Sequence, residues 1–165
     1  MDKIPQVGER APDFSLPDVK NNPVSLQRLL NENKSAVLVF YRGGWCPLCS
    51  KQLADISSHL GEFEKKNAIP VAISNEEIKK GSELLKKLEL GYRLLSDKKS
   101  EIIDKFGVRV VKREMLDMSA LKGKHKDYAL PSVFVIGSDG KIIWRYIGKN
   151  YRDRPKTEEI LKHLP

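Results

Sequence analysis

The sequence predicts an α/β fold of three layers, with helices packed on a central mixed β-sheet. Three observations carry that expectation. Ala36-Val-Leu-Val-Phe-Tyr41 and Ile69-Pro-Val-Ala-Ile-Ser74 are unbroken apolar, β-branched runs, the mark of strands buried on both faces. Apolar residues at three- and four-residue spacing follow each run, as in a βαβ unit. Ser132-Val-Phe-Val-Ile136 and Lys141-Ile-Ile-Trp-Arg-Tyr-Ile147 flank Gly137-Ser-Asp-Gly140, a hairpin turn that adds antiparallel strands.

In chain order, the first buried strand leads into a helix over about 47–66, whose apolar face is Leu53, Ile56, Leu60 and Phe63. The second strand carries Pro70 near its start, where a missing N–H does least harm. Asn75 and Glu76 read as the start of the next helix, with Ile78, Leu84, Leu85 and Leu88 on its inner side and a break expected at Gly81-Ser82. Tyr92-Arg-Leu-Leu-Ser96 is a short extended segment. Ser100 is the expected cap of a helix through Ile102, Ile103 and Phe106, which Gly107 stops. After the hairpin, Thr157 is the expected cap of a last helix bearing Ile160, Leu161 and Leu164. Residues 111–128 have no period and read as a basic loop or small excursion. No repeat and no Gly-, Pro- or Ser-rich linker divides the chain, so one domain over 1–165 is expected.

The 165 residues carry 30 Lys+Arg against 22 Asp+Glu, a formal charge of +8, with 40% hydrophobic residues. Disorder and a collagen-like chain are excluded by that composition, and no apolar stretch approaches the ~18 residues needed to span a bilayer. Met1-Asp-Lys-Ile-Pro-Gln-Val-Gly8 has no apolar leader, so a cytoplasmic location and no membrane association are expected. The basic excess lies in 106–165, with 13 basic against 7 acidic side chains, scattered as Lys122, Lys124, Lys126, Lys149, Arg152 and Arg154. Without a recognition motif or an aromatic stacking platform, it reads as a solubilising surface rather than a nucleic-acid site.

Two cysteines cannot make a disulfide framework, but their setting is informative. Tyr41-Arg-Gly-Gly-Trp-Cys46-Pro-Leu-Cys49 sits where the first strand turns into the first helix. Cys46 then falls at the N-cap and Cys49 in the first turn, near unpaired N–H groups and the positive end of the helix dipole, which lower a thiol pKa. Pro47 takes the first helical position, where its missing donor costs nothing. The spacing of three puts both sulfurs on one face, close enough for a small disulfide ring. Gly43 and Gly44 allow an unusual turn and leave room for a partner's backbone, and Trp45 would shelter the pair. Zinc would need four ligands, and His59, His125 and His163 are scattered. Inert core cysteines remain the bland alternative; a working dithiol is the reading preferred. Pro131, just ahead of a buried strand and read together with the cysteine pair, is expected to be cis and to pack on the sulfurs. An excursion over 111–128 near Pro131 would bring Tyr128 and His125 towards the site, although an exposed loop without a role serves as well.

Most of the chain, from about residue 5 to 164, resembles the alkyl hydroperoxide reductase/thiol-specific antioxidant family, the peroxiredoxins and their redoxin relatives. The matching segments are Val7-Gly-Glu-Arg-Ala-Pro-Asp-Phe14, Val37-Leu-Val-Phe-Tyr41, Leu94-Leu-Ser-Asp97, Phe106-Gly-Val108 and Val133-Phe-Val-Ile-Gly-Ser-Asp-Gly-Lys-Ile142. The resemblance implies a thioredoxin-like three-layer α/β/α sandwich. Laid on the family motif P-x-x-x-T-x-x-C, the peroxidatic cysteine falls on Cys49, the threonine on Cys46 and the proline on Arg42. The family's peroxide-binding arginine would lie near Pro131, where no arginine stands. Peroxide cleavage needs donors aimed at the O–O bond, so Arg42 or another basic residue would have to supply them. Read as a thioredoxin-type motif instead, Trp45-Cys46-x-x-Cys49 with Pro131 fits without a gap.

Two mechanisms therefore share one site. In the preferred one, an exposed Cys46 thiolate attacks a substrate disulfide and Cys49 resolves the mixed disulfide, leaving a Cys46–Cys49 bond for an external thiol reductant, thioredoxin-like or small. In the alternative, Cys49 takes oxygen from a hydroperoxide to become a sulfenic acid, which Cys46 resolves to the same bond. A remoter alternative is a binding module that uses the basic C-terminal half. The chain has no G-x-G-x-x-G and no P-loop, so no flavin, nicotinamide or metal cofactor is expected.

Overall fold

The structure is a computed structural model, and it describes residues 3–111 and 127–165. In chain order, the main elements are β1 (Ser15–Pro17), β2 (Pro23–Ser25), α1 (Leu26–Leu29), β3 (Ser35–Phe40), α2 (Pro47–Ser58), α3 (Leu60–Lys65) and β4 (Ala68–Ser74). Then follow α4 (Ile78–Leu88), β5 (Arg93–Ser96), α5 (Glu101–Lys105), β6 (Arg109–Val111), β7 (Asp127–Ala129), β8 (Ser132–Ile136), β9 (Ile142–Ile147) and α6 (Thr157–Lys162). The central sheet has the order β5-β4-β3-β8-β9. Strands β3, β4 and β5 run parallel, while β8 and β9 pair antiparallel, which makes the sheet mixed as expected.

Every residue of β3 is buried because both of its faces are covered. Leu38 and Phe40 point into a cluster with Ile73, Leu95, Ile103, Phe106 and Phe134 beneath α1 and α5. Val37 and Val39 point the other way, among Leu53, Ile56, Phe63, Val133, Val135 and Ile160 beneath α2, α3, α4 and α6. Each large side chain so buried contributes roughly 1.5–3 kcal/mol. The two clusters are the inner surfaces of a three-layer α/β/α sandwich. Because β3 is the middle strand, its C-terminal end, and the helix that starts there, are held from both sides.

Local boundaries depart from expectation for identifiable reasons. The helix expected over 47–66 breaks at His59. The Ser58 hydroxyl donates to the Asp55 carbonyl at 2.6 Å, and His59 Nδ1 lies 2.7 Å from the same oxygen. The carbonyl that the His59 N–H would use is therefore taken, and that N–H turns to Ile56. Gly81 does not interrupt α4; it is buried there, and a Cβ would lie 3.4 Å from Val19, so its small size serves close packing. Helix α4 starts at Ile78 rather than at Asn75–Glu76, because those two side chains bond elsewhere: Asn75 to Ser100 and the Asp127 carbonyl, Glu76 to Gly44. Ser100 does not cap α5 with its side chain; Asp97 does, accepting the N–H groups of Ile102 and Ile103. Thr157 is the first residue of α6, and its hydroxyl donates to the Asp55 carboxylate, tying α6 to α2. At the two ends of 111–128, β6 and β7 pair antiparallel, and Arg109 bridges Asp104 and Asp127 there. His125 and the lysines at 122, 124 and 126 lie outside the described residues.

Candidate active site

Tyr41 still belongs to the sheet, its N–H donating to the Ile73 carbonyl. The chain then leaves through Arg42-Gly43-Gly44-Trp45 and enters α2. The Cys46 N–H donates to the Gly43 carbonyl at 3.2 Å, closing the turn. The Gly44 N–H donates to Glu76 Oε1 at 2.6 Å, which pins the turn to the segment after β4. Cys46 is the N-cap, extended at φ −97° and ψ 109°, and its Sγ accepts the Cys49 N–H at 3.2 Å. A thiol sulfur thus fills the role that a serine or threonine oxygen has at ordinary helix starts. Pro47 is the first helical residue, as expected.

Two guanidinium groups face the sulfurs. Arg154, from the loop between β9 and α6, brings Nη2 to 3.0 Å from Cys49 Sγ and 3.6 Å from Cys46 Sγ. Its Nη1 donates to Gln52 Oε1 at 2.7 Å and its Nε to the Tyr151 carbonyl at 3.0 Å. Arg42 lies farther off, with Nη1 3.9 Å from Cys46 Sγ. Its guanidinium is held over the rings of Trp45, Tyr128 and Tyr151, 4.6, 4.7 and 4.9 Å from their centroids. Those rings come from the turn before α2, from β7 and from the β9–α6 loop.

The pair is electrostatically unequal. The Cys49 thiol and the Cys49 N–H both donate to the Cys46 sulfur, and with the Arg154 and Arg42 charges they hold the Cys46 thiol down at about 5, against burial. Cys49 is pushed up, because its proton is held by the Cys46 sulfur and burial disfavours its anion. The dithiol therefore gives up one proton easily and keeps the other between two sulfurs. The fraction of protein carrying this thiolate should stay constant from pH 8 down to about 6 and fall as pH drops through about 5. Thiolate absorbance of the reduced protein checks this; a midpoint near an ordinary thiol value of about 8.5 would contradict it.

Of the site residues expected from sequence, Cys46, Cys49, Arg42, Trp45 and Pro47 come together, and Tyr128 joins them across Arg42. Two expectations are corrected. Cys46 is not exposed: it is 1% accessible and Cys49 0%, because α2 turns both sulfurs inward and side chains of three segments lie over Arg42. Pro131 is not cis, since the described residues contain no cis peptide bond. The chain bends at Pro131 as it passes from β7 into β8, Leu130 N–H bonding the Val108 carbonyl and the Pro131 carbonyl accepting from Gly148. The bond keeps the trans form that X–Pro bonds already favour. Sequence reasoning missed Arg154 as a site residue, along with Gln52, Glu76 and Tyr151. Arg154 stands 105 positions from Cys49, a separation at which no spacing rule operates.

Among the described residues, no group of three or more His, Cys, Asp or Glu could hold a metal ion. No helix among them is long and apolar enough to cross a membrane.

The model of the AhpC/TSA family matches residues 7–145. The chain is 32% identical over 167 residues to a putative peroxiredoxin bcp of Helicobacter pylori, covering 99% of this chain and 100% of that one. It is 30% identical over 137 residues to peroxiredoxin Bcp of Escherichia coli K12, covering 83% of this chain and 82% of that one. The crystal structure of peroxidoxin BcpB from Mycobacterium tuberculosis matches with a TM-score of 0.81 at 26% identity, covering 96% of this chain and 95% of that one. The thioredoxin-like architecture expected from the sequence is therefore the one observed.

Proposed function

Because the chain belongs to the AhpC/TSA family, we propose that this oxidoreductase is a thiol peroxidase: it reduces hydroperoxides with the Cys46–Cys49 dithiol, and an external thiol returns the disulfide to the dithiol. One observation carries the reading, namely two buried sulfurs at the start of α2 that face one guanidinium, with Arg154 Nη2 3.0 Å from Cys49 Sγ and 3.6 Å from Cys46 Sγ. A buried pair suits a substrate that delivers two bonded oxygen atoms. It suits poorly the disulfide of another protein, whose backbone would have to reach sulfurs that are 1% and 0% accessible.

The steps balance as follows. Cys49, in the family's nucleophile position, passes its proton to Cys46 as its sulfur attacks the terminal oxygen of the hydroperoxide. The O–O bond breaks, the Cys49 sulfur is oxidised to a sulfenic acid, and the departing alkoxide takes the proton from Cys46. Cys46, again a thiolate, attacks the sulfenic sulfur; the S–S bond forms and hydroxide leaves. The hydroperoxide has become an alcohol and hydroxide, and two sulfurs have lost two electrons. A small reductant thiolate, which brings no protein backbone to the buried sulfurs, then opens the disulfide through a mixed disulfide, and a second thiol releases it. A dithiol that must be regenerated this way belongs in a reducing compartment, which the cytoplasm provides.

The test uses Cys46→Ser and Cys49→Ser proteins, each mixed with hydroperoxide and a sulfenic-acid trap. The expected result is a trapped adduct on Cys49 in the first and no peroxide consumption by the second. If Cys49→Ser instead forms a mixed disulfide with a protein disulfide while neither variant consumes peroxide, disulfide exchange is the activity and the peroxidase reading falls.

A further inference from the structure

We propose, resting on the peroxidase reading, that Arg154 is the catalytic guanidinium of this site, delivered from the β9–α6 loop and aimed by Gln52. The region around Pro131 offers no arginine, and Arg154 lies beyond residue 145, where the family match ends.

Donor accounting supports the assignment. A guanidinium has five N–H bonds in a rigid fork. Nε is used by the Tyr151 carbonyl and one Nη1 hydrogen by Gln52, so the fork cannot turn without losing both. Nη2 is left facing Cys49 Sγ at 3.0 Å and Cys46 Sγ at 3.6 Å. An oxygen being transferred to Cys49, and the oxygen leaving behind it, pass beside that nitrogen. As the O–O bond breaks, negative charge collects on the leaving oxygen, and a fixed cation already beside it needs no reorganisation. Arg42 is less well placed for this. Its contact is with Cys46, at 3.9 Å, and its guanidinium is occupied by three rings.

Gln52 is the positioning residue. It sits three residues after Cys49 on α2, so one rigid helix carries both the nucleophile and the anchor of its guanidinium. The β9–α6 loop is itself braced: Asp153 accepts the Tyr146 hydroxyl and the Lys149 N–H, and the Gly148 N–H bonds the Pro131 carbonyl.

The experiment compares two reactions of the full-length reduced protein at a pH where the thiolate is formed: consumption of tert-butyl hydroperoxide and alkylation by iodoacetamide. Alkylation is read at Cys49 by peptide mass, so that both reactions use the same sulfur as nucleophile, but only the first develops charge on oxygen. Arg154→Gln is expected to slow the peroxide reaction by about 100- to 1,000-fold, the usual cost of losing a donor to a developing oxyanion, and alkylation by less than about tenfold. Arg154→Lys, which keeps the charge without the fork, should fall between. Gln52→Met should slow the peroxide reaction roughly tenfold without slowing alkylation, and Gln52→Glu, which keeps an acceptor for Arg154, should restore it. Arg154→Gln reacting with peroxide within about threefold of the wild type would overturn the proposal while leaving the peroxidase reading intact. A wild-type protein that alkylates normally but ignores the hydroperoxide would overturn both.

Discussion

Exposure to millimolar hydroperoxide without a reductant should leave the wild-type protein as the Cys46–Cys49 disulfide, while Cys46→Ser accumulates sulfinic and sulfonic acid on Cys49. The reason is competition for one intermediate. A sulfenic acid on Cys49 either condenses with a thiol or meets a second peroxide and climbs the oxidation ladder. The second encounter is bimolecular. The first is intramolecular and already assembled, because the two sulfurs exchange a hydrogen bond before any oxygen arrives. Well-oriented intramolecular reactions reach effective concentrations of about 10⁵ M or more, far above any peroxide concentration in the assay. No turn of α2 has to unwind first, since Cys46 is the N-cap and Cys49 lies in the first turn. After Cys49 is oxidised, its backbone N–H and the Arg154 and Arg42 charges remain to favour the thiolate of the resolving Cys46. Intact-mass measurement separates the outcomes: loss of two hydrogens in the wild type, gain of two or three oxygens in the variant. Equal hyperoxidation of the two proteins would mean that Cys46 does not resolve Cys49.

The dithiol was legible in the sequence because its geometry is local. A buried strand that turns into a helix fixes where the helix begins, and three residues of spacing then put both sulfurs at its mouth. The charges that tune it were not local. Arg154 arrives through β8, β9 and a loop, and it reaches Cys49 only because β9 ends beside β8 and α6 packs back on α2. The burial of the sulfurs was hidden for the same reason, since two of the three rings over Arg42, Tyr128 and Tyr151, come from distant segments. The five strands of the central sheet were read within a residue or two because their apolar runs are bounded, whereas β1, β2, β6 and β7, three residues each, are too short to show a pattern. Helix ends were read less well wherever a side chain had a better partner than its own helix. Thr157 bonds Asp55, and Asp97 rather than Ser100 caps α5. Pro131 was misread because a rule about proline beside paired thiols outweighed the ordinary trans preference of an X–Pro bond.

Gly43→Ala should damage the site severely, whereas Gly44→Ala, one residue on, should be nearly silent. The two glycines look equivalent in the sequence, but their surroundings differ. A Cβ on Gly43 would lie 2.3 Å from Trp45 Nε1 and 3.1 Å from Glu76 Cδ, and its φ of +156° disfavours a side chain as well. The obstacle is an indole ring held by Arg42 on its face and by Tyr128 at its edge, 5.8 Å between centroids, so it cannot simply swing away. The methyl group would push Trp45 off Arg42, and with it the cover over Cys46 and the turn whose Gly43 carbonyl anchors the Cys46 N–H. Overpacking of this kind costs typically 1–3 kcal/mol. A Cβ on Gly44 meets only Glu76 Oε1 at 3.5 Å and Leu84 at 3.6 Å, ordinary contact distances. Its N–H would still reach Glu76. Three measurements follow the difference: unfolding free energy by denaturant, tryptophan emission, and the rate of iodoacetamide alkylation. Gly43→Ala should lower the first, redshift the second and lose the flat thiolate profile between pH 6 and 8. If the two alanine variants proved alike in all three, the packing of Trp45 against the turn would not be what sets the environment of Cys46.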